Sequence, residues 1–295
     1  MKAWLELLKL RITIASAITT LVGYVMARGR MDVEMLPVLL GIFLQACGAA
    51  TLNHVQDSGL DKKMGRTSGR PIPSGRVSRN QATFLAIFLL ASGTIILGLG
   101  SWTAAFLGLG AAVVYNGIYT PLKRVTPFAA LPGSVIGALP PVVGWVAAGG
   151  YLIDPTIHLV AFFFFIWQIP HFWLLLLFYE KDYTDGGLPS LFDRFDRRQV
   201  VKLTFLWIAA MCVAALLMPL FTFLERPILA LLMSIAALAV MWRSIALLKA
   251  ESMAGDAVLA TELKALFVRN CRIRFMEINT FVLVVSILLV VDAMV

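Results

Sequence analysis

Long apolar runs broken by short charged stretches are the main feature of the sequence. A helix that crosses a bilayer needs about 20 mostly apolar residues. Residues 12–27, 35–56, 125–153, 155–179, 203–224, 227–242 and 275–295 each supply one such run. Residues 80–122 are long enough for two, with Gly98, Gly100 and Ser101 at the expected turn. The pattern predicts an all-α, polytopic membrane protein with nine transmembrane helices, folded as a single integral-membrane domain over residues 1–295. Within residues 258–267, Leu259, Leu263, Leu266 and Phe267 stand at helical spacing. They predict an amphipathic helix lying at the interface before the last span.

Composition narrows the picture. Of 295 residues, 60% are hydrophobic and 14% charged, against about 25% charged in an ordinary soluble domain. That excludes a soluble globular enzyme, a disordered chain, a disulfide scaffold and a fibrous repeat. The net charge of +8 does not point to nucleic acid, because membrane proteins collect Lys and Arg in their cytoplasmic loops. With the N-terminus in the cytoplasm, 22 of the 25 basic residues fall in cytoplasmic segments, and only Arg28, Arg30 and Arg226 lie opposite. Nine spans then put the C-terminus outside. The longer, charged loops are cytoplasmic, and the chemistry is expected there. Residues 10–27 read as the first span and not as a cleaved signal, because no A-x-A-like site follows them. Cys47, Cys212 and Cys271 are far apart and show neither a disulfide framework nor zinc spacing.

The second span ends with Asn53, Asp57 and Asp61, at i, i+4 and i+8. On a helix they descend one face over about two turns. Two carboxylates on one face repel each other. A divalent cation removes that cost, and Mg²⁺ takes one or two carboxylates together with substrate phosphates. Lys62, Lys63, Arg66, Arg70, Arg76 and Arg79 follow at once, and Arg suits bidentate phosphate contact. Tyr115, Tyr119 and Lys123 repeat the four-residue spacing at the end of the fourth span, beside Asn116 and Arg124. They read either as an interfacial aromatic belt with a snorkelling Lys, or as a Lys aimed at a diphosphate with tyrosines lining the site.

Gln168 and His171 lie in an otherwise apolar span, where polar groups usually face a cavity. Pro170 is expected to open the backbone ladder between them. The same run reaches Lys181, Asp182 and Asp185. These acids are either ligands of a second metal or part of a solvated loop. The Gly- and Pro-rich stretch 133–150 is expected to support a cavity. Together these features imply a diphosphate with a long apolar tail. Mg²⁺ and bases would draw charge onto the leaving diphosphate, and an apolar, aromatic cavity would shelter the remaining cation. That is prenyl transfer, with the acceptor left open.

At these motifs the sequence resembles the UbiA-type intramembrane prenyltransferases, and within them the branch that farnesylates protohaem IX. The family pattern of one Asn and two Asp at four-residue spacing is met by Asn53, Asp57 and Asp61. Met64-x-Arg66-Thr67-x-x-Arg70-Pro71, Tyr119-Thr120-x-x-Lys123-Arg124 and Gly133-Ser134-x-x-Gly137-Ala138-x-Pro140-Pro141-x-x-Gly144 are like the haem branch. So is the run from Trp167 to His171, followed by Lys181-Asp182-Tyr183 and Pro189. The likeness spans about residues 8–200. Gly186 stands where many members have a second Asp four residues after Asp182, with Asp185 beside it.

The resemblance implies nine helices around a central cavity in a bacterial inner (plasma) membrane. It implies farnesyl diphosphate and haem B as substrates and Mg²⁺ as the cofactor, with haem O as the product. A haem A synthase or a terminal oxidase would stand downstream. Asn53, Asp57 and Asp61 would hold Mg²⁺-diphosphate, and Asp182 would contribute a second acidic site. Arg66, Arg70 and Lys123 would hold diphosphate oxygens. Tyr115, Tyr119, Gln168, Lys181 and Asp185 would line the substrates, and His171 would face the porphyrin. Two other readings stand beside this one. One is a UbiA-type enzyme acting on an aromatic or quinone-precursor acceptor. The other is a membrane transporter, against which no internal repeat is visible and the polar residues cluster at one face.

Overall fold

The computed structural model describes residues 2–179, 187–221, 224–253 and 260–295. It consists of helices and connecting loops, with no strand among the described residues. A short helix α1 (Lys2–Leu7) precedes α2 (Leu10–Arg28) and α3 (Met35–Asp61). Then follow α4 (Arg79–Gly100), α5 (Trp102–Leu122), α6 (Pro127–Ala147) and α7 (Pro155–Phe178). The last three are α8 (Arg197–Leu220), α9 (Pro227–Met253) and α10 (Ala260–Met294). Among the described residues, the nine helices from α2 to α10 are long and apolar enough to cross a membrane.

Local chemistry sets the helix ends. Ser78 starts α4 by accepting from Gln81 N (3.2 Å), while Gln81 Oε1 accepts from Ser78 N (3.1 Å). Asp196 and Gln199 form the same reciprocal cap on α8. Ser101 separates α4 from α5 by leaving helical backbone (φ −156°, ψ 111°) and capping Ala104 N. The turn expected at Gly98–Ser101 is therefore present. Several helices outrun their charge-free cores. α3 continues from Gln56 to Asp61 because cations hold the buried Asp57 and Asp61, and α8 starts at Arg197 behind the Asp196 cap.

The helices form a ring in which each packs on its chain neighbour, and α10 returns against both α2 and α7. α6 crosses the middle, touching α2, α5 and α7. The α2–α6 crossing is close because glycine stands on both sides. A Cβ on Gly144 would lie 1.9 Å from Thr20 O, and one on Gly23 would lie 1.8 Å from Pro141 O. Backbone blocks both, so neither helix can yield locally. Gly144→Val should therefore destabilise the fold by about 1–3 kcal/mol or more, read as a lower melting temperature in detergent. An unchanged melting temperature would mean that the helices can separate at no cost. The outward faces carry exposed apolar side chains such as Phe84, Leu99 and Trp102, as a lipid-facing surface requires.

Two expectations need correction. The interfacial helix over 258–267 is not separate: from Ala260 onward the chain belongs to α10 (258–259 lie outside the described residues). The Arg-rich stretch 269–274 reads as a boundary, yet the buried face Phe267–Cys271–Ile278 carries the helix through it. Arg274 stays buried by pairing with Glu277 at 2.8 Å. α7 continues through Pro170, which has no N–H and so leaves one ladder bond open, as expected. Finally, Tyr115 and Tyr119 do not sit on a regular α-helix, because residues Val114–Tyr119 form a wider π-turn inside α5.

Candidate active site

The end of α3 and the turns that follow it build the polar part of the site. Asn53, Asp57 and Asp61 line one cavity of about 230 Å³, together with Lys9, Arg66, Arg70 and Lys123. Asp57 and Asp61 are only 4% and 3% exposed, a position that no bare carboxylate tolerates. A cation holds each acceptor. Lys9 Nζ donates to Asn53 Oδ1 (2.7 Å). Lys123 and Arg124 both donate to Asp57, the latter at 3.1 Å. Arg70 Nη1 donates to both oxygens of Asp61 at 2.9 Å. Asn53 Nδ2 in turn donates to Asp57 Oδ2 (2.9 Å) and Thr120 Oγ1 (3.0 Å), which fixes its oxygen towards Lys9.

The loop after α3 is anchored and not free. Met64, Ile72 and Val77 are buried, and Thr67 Oγ1 donates to Asp61 O (3.0 Å). Arg76 pairs with Glu6 of α1 at 2.7 Å. This anchoring holds Arg70 on Asp61. Arg66 stands 5.0 Å over the ring of Tyr179. α5 is locked to α3 by a two-way amide clamp: Gln56 Nε2 donates to Asn116 O (2.9 Å), and Asn116 Nδ2 donates to Gln56 Oε1 (3.0 Å). The clamp places Lys123 opposite Asp57.

The π-turn shapes the next layer. Tyr115 stacks on Tyr119 at 5.9 Å, and Tyr119 stacks on Phe172 of α7 at 5.7 Å. Beyond these rings lies a larger, mostly apolar chamber of about 470 Å³. Lys9, Tyr115, Tyr119 and Phe172 line both spaces. Trp167, Gln168 and His171 face the chamber from α7, and Gly133, Gly137 and Pro140 from α6. Gly137 leaves room for Gln168, whose Oε1 lies 2.4 Å from where a Cβ would stand. Asn279 of α10 uses its amide nitrogen on Phe275 O, so its oxygen accepts from His171 Nδ1 (3.0 Å). His171 is thereby left with Nε2 as its acceptor nitrogen.

The structure thus brings together Asn53, Asp57, Asp61, Arg66, Arg70, Lys123, Tyr115 and Tyr119 at the head cavity. It puts Gln168 and His171 in the chamber. Lys181, Asp182 and Asp185 lie outside the described residues. Lys9, Thr120, Phe172 and Asn279 are contributors that spacing did not single out. Burial pushes the Lys9 ammonium down to about 8; Arg70 adds to this, while Asp57 and Asp61 oppose it. The described residues hold no cluster of three or more His, Cys, Asp or Glu that would bind a metal unaided. Asn53, Asp57 and Asp61 nonetheless suit Mg²⁺, which takes few carboxylates and shares its shell with phosphate.

The family model described as the UbiA prenyltransferase family matches residues 16–268. The chain is 34% identical over 266 residues to a protoheme IX farnesyltransferase of Nitratidesulfovibrio vulgaris, covering 89% of this chain and 93% of that one. Among solved structures it resembles a digeranylgeranylglyceryl phosphate synthase (TM-score 0.78, 15% identity, 99% and 98% covered). It also resembles a UbiA homologue from Archaeoglobus fulgidus bound to DMAPP and Mg²⁺ (TM-score 0.65, 14% identity, 95% and 98% covered). Fold, extent of match and sequence likeness agree: the chain belongs to the UbiA prenyltransferase family.

Proposed function

We propose that this chain transfers the farnesyl group of farnesyl diphosphate to a vinyl group of protohaem IX, giving haem O and diphosphate with uptake of one water. One observation carries the reading: a buried site rich in acids and bases shares Lys9, Tyr115, Tyr119 and Phe172 with a larger apolar chamber. The first suits a diphosphate head, and the second suits an isoprenoid tail with a flat apolar acceptor. The name of the N. vulgaris relative supports haem over a quinone-type ring.

Asn53, Asp57 and Asp61 would hold Mg²⁺, with Asp182 contributing from the next acidic segment. When bound, Mg²⁺ supplies Lewis-acid stabilisation of charge on the departing diphosphate. Arg66, Arg70 and Lys123 bind the phosphate oxygens, Arg70 and Lys123 by turning from the carboxylates they now hold. The stacked rings of Tyr115, Tyr119 and Phe172 offer π-faces to the allylic carbon and exclude water from it. Gln168 and His171 orient the acceptor, with His171 towards the porphyrin. Lys181 and Asp185 would border the head. The protein works as one domain in a bacterial inner membrane, with the head site cytoplasmic and the C-terminus outside. Its product would pass to a haem A synthase or a terminal oxidase.

The direct test incubates the purified protein with haem B, farnesyl diphosphate and Mg²⁺, followed by mass spectrometry of the extracted haem. The expected result is a metal-dependent gain of one farnesyl group and one hydroxyl. Unchanged haem alongside released diphosphate would transfer the reading to an aromatic or quinone-precursor acceptor.

A further inference from the structure

Lys9 is the one non-glycine residue with positive φ among the described residues (φ 47°, ψ 51°). Asn or Gly adopts that conformation more readily than a long side chain does. The bend separates α1 from α2 and folds the Lys9 side chain inward, 44 residues away in sequence from its partner Asn53. Its ammonium donates to Asn53 Oδ1 and lies 3.3 Å from the Tyr115 hydroxyl. It also lies 6.0 Å from the centre of the Tyr115 ring. Lys9 lines both the head cavity and the chamber. Arg70 and Lys123 line only the head cavity. A non-glycine residue in this region costs about 1 kcal/mol or more and persists only where the surrounding structure holds it.

We propose that Lys9 is a catalytic residue that contacts the diphosphate oxygen attached to the reacting carbon, at the junction of head site and chamber. The inference rests on the prenyl-transfer reading. In that reaction the bond between the allylic carbon and the diphosphate oxygen breaks, and both electrons stay on oxygen. Lys9 keeps its proton and donates a hydrogen bond to that oxygen as its charge grows. The π electrons of the acceptor's vinyl group then form the bond to the farnesyl carbon, water adds to the cation left on the acceptor, and the water's proton passes to the departed diphosphate. A basic group that lines both the head cavity and the chamber fits this position better than Arg70 or Lys123, which line only the head cavity. The hydrogen bond to Asn53 is the resting partner that it gives up.

The experiment measures binding of inorganic diphosphate in the presence of Mg²⁺ by calorimetry on the full chain. It compares wild type with Lys9→Asn, which suits the left-handed backbone, and Lys9→Met, which keeps the stem. Both variants should bind diphosphate at least about tenfold more weakly, since a charge-assisted contact is lost. With farnesyl diphosphate, kcat should fall by at least about tenfold with a smaller change in KM, as for a contact that strengthens in the transition state. The Lys9→Asn protein should melt no lower than wild type. A Lys9→Asn protein with wild-type diphosphate affinity and turnover would overturn the proposal and leave Lys9 as a helix-bend residue. Should Lys9→Met fail to fold, Lys9→Asn still decides. Wild-type protein that binds no diphosphate would instead overturn the prenyl-transfer reading beneath it.

Discussion

Asp57→Asn will lose prenyl transfer by at least about a thousandfold in kcat while the protein still inserts and folds. A carboxylate that helps to hold Mg²⁺ and diphosphate contributes several kcal/mol to the transition state. The amide keeps the shape and removes the charge. Lys123 and Arg124 lose their shared partner, but their side chains are 20% and 44% exposed, so water can take its place. The melting temperature should therefore stay near that of wild type. Asp61→Asn should behave alike, because Arg70 is 29% exposed on its side chain. Inorganic diphosphate binding with Mg²⁺, followed by calorimetry, checks the cause. Turnover within tenfold of wild type in either variant would remove these acids from the metal site.

Gly133→Leu will displace the Tyr119 ring that lines both cavities and reduce turnover by at least about a hundredfold, the scale of misplacing a reacting group by an ångström. A Cβ at this position would lie 2.6 Å from the Tyr119 ring, which is held between Tyr115 and Phe172. The ring has to leave the stack, and the larger side chain enters the chamber. Diphosphate binding should survive, since Asp57, Asp61 and Arg70 are untouched. The signature is thus a protein that binds Mg²⁺-diphosphate like wild type and farnesylates nothing. Normal turnover would show that the stack is not the route of the allylic carbon.

Much of this was legible in the residues. The spans follow from apolar runs, and the Asn53–Asp57–Asp61 face follows from a local four-residue period, because both are properties of a single helix. Lys9 was not legible. A basic residue directly before a first span looks like any interfacial anchor, and only the fold brings it to Asn53. Asn279 was hidden for the same reason, as one amide in an apolar span whose partner is on α7. The π-turn escaped because the poor helix formers of Val114–Tyr119, Gly117 among them, weaken an α-helix without saying which turn replaces it. It is the Thr120 hydroxyl bonding to Tyr115 O (2.8 Å) that accompanies the wider turn, and that bond appears only once the helix is built.

The closure of the ring by α10 has a consequence for how the protein comes into being. Asn53, Asp57, Asp61, Arg70 and Lys123 all lie within the first 123 residues, in the helices up to α5, between them or directly after α5, and leave the ribosome early. The chamber needs α10, which emerges last among the described helices and brings Asn279 to His171. Through most of translation the growing chain therefore has its polar half assembled and a missing wall facing lipid. The chamber is completed at one late moment, when the final helix inserts beside α2 and α7.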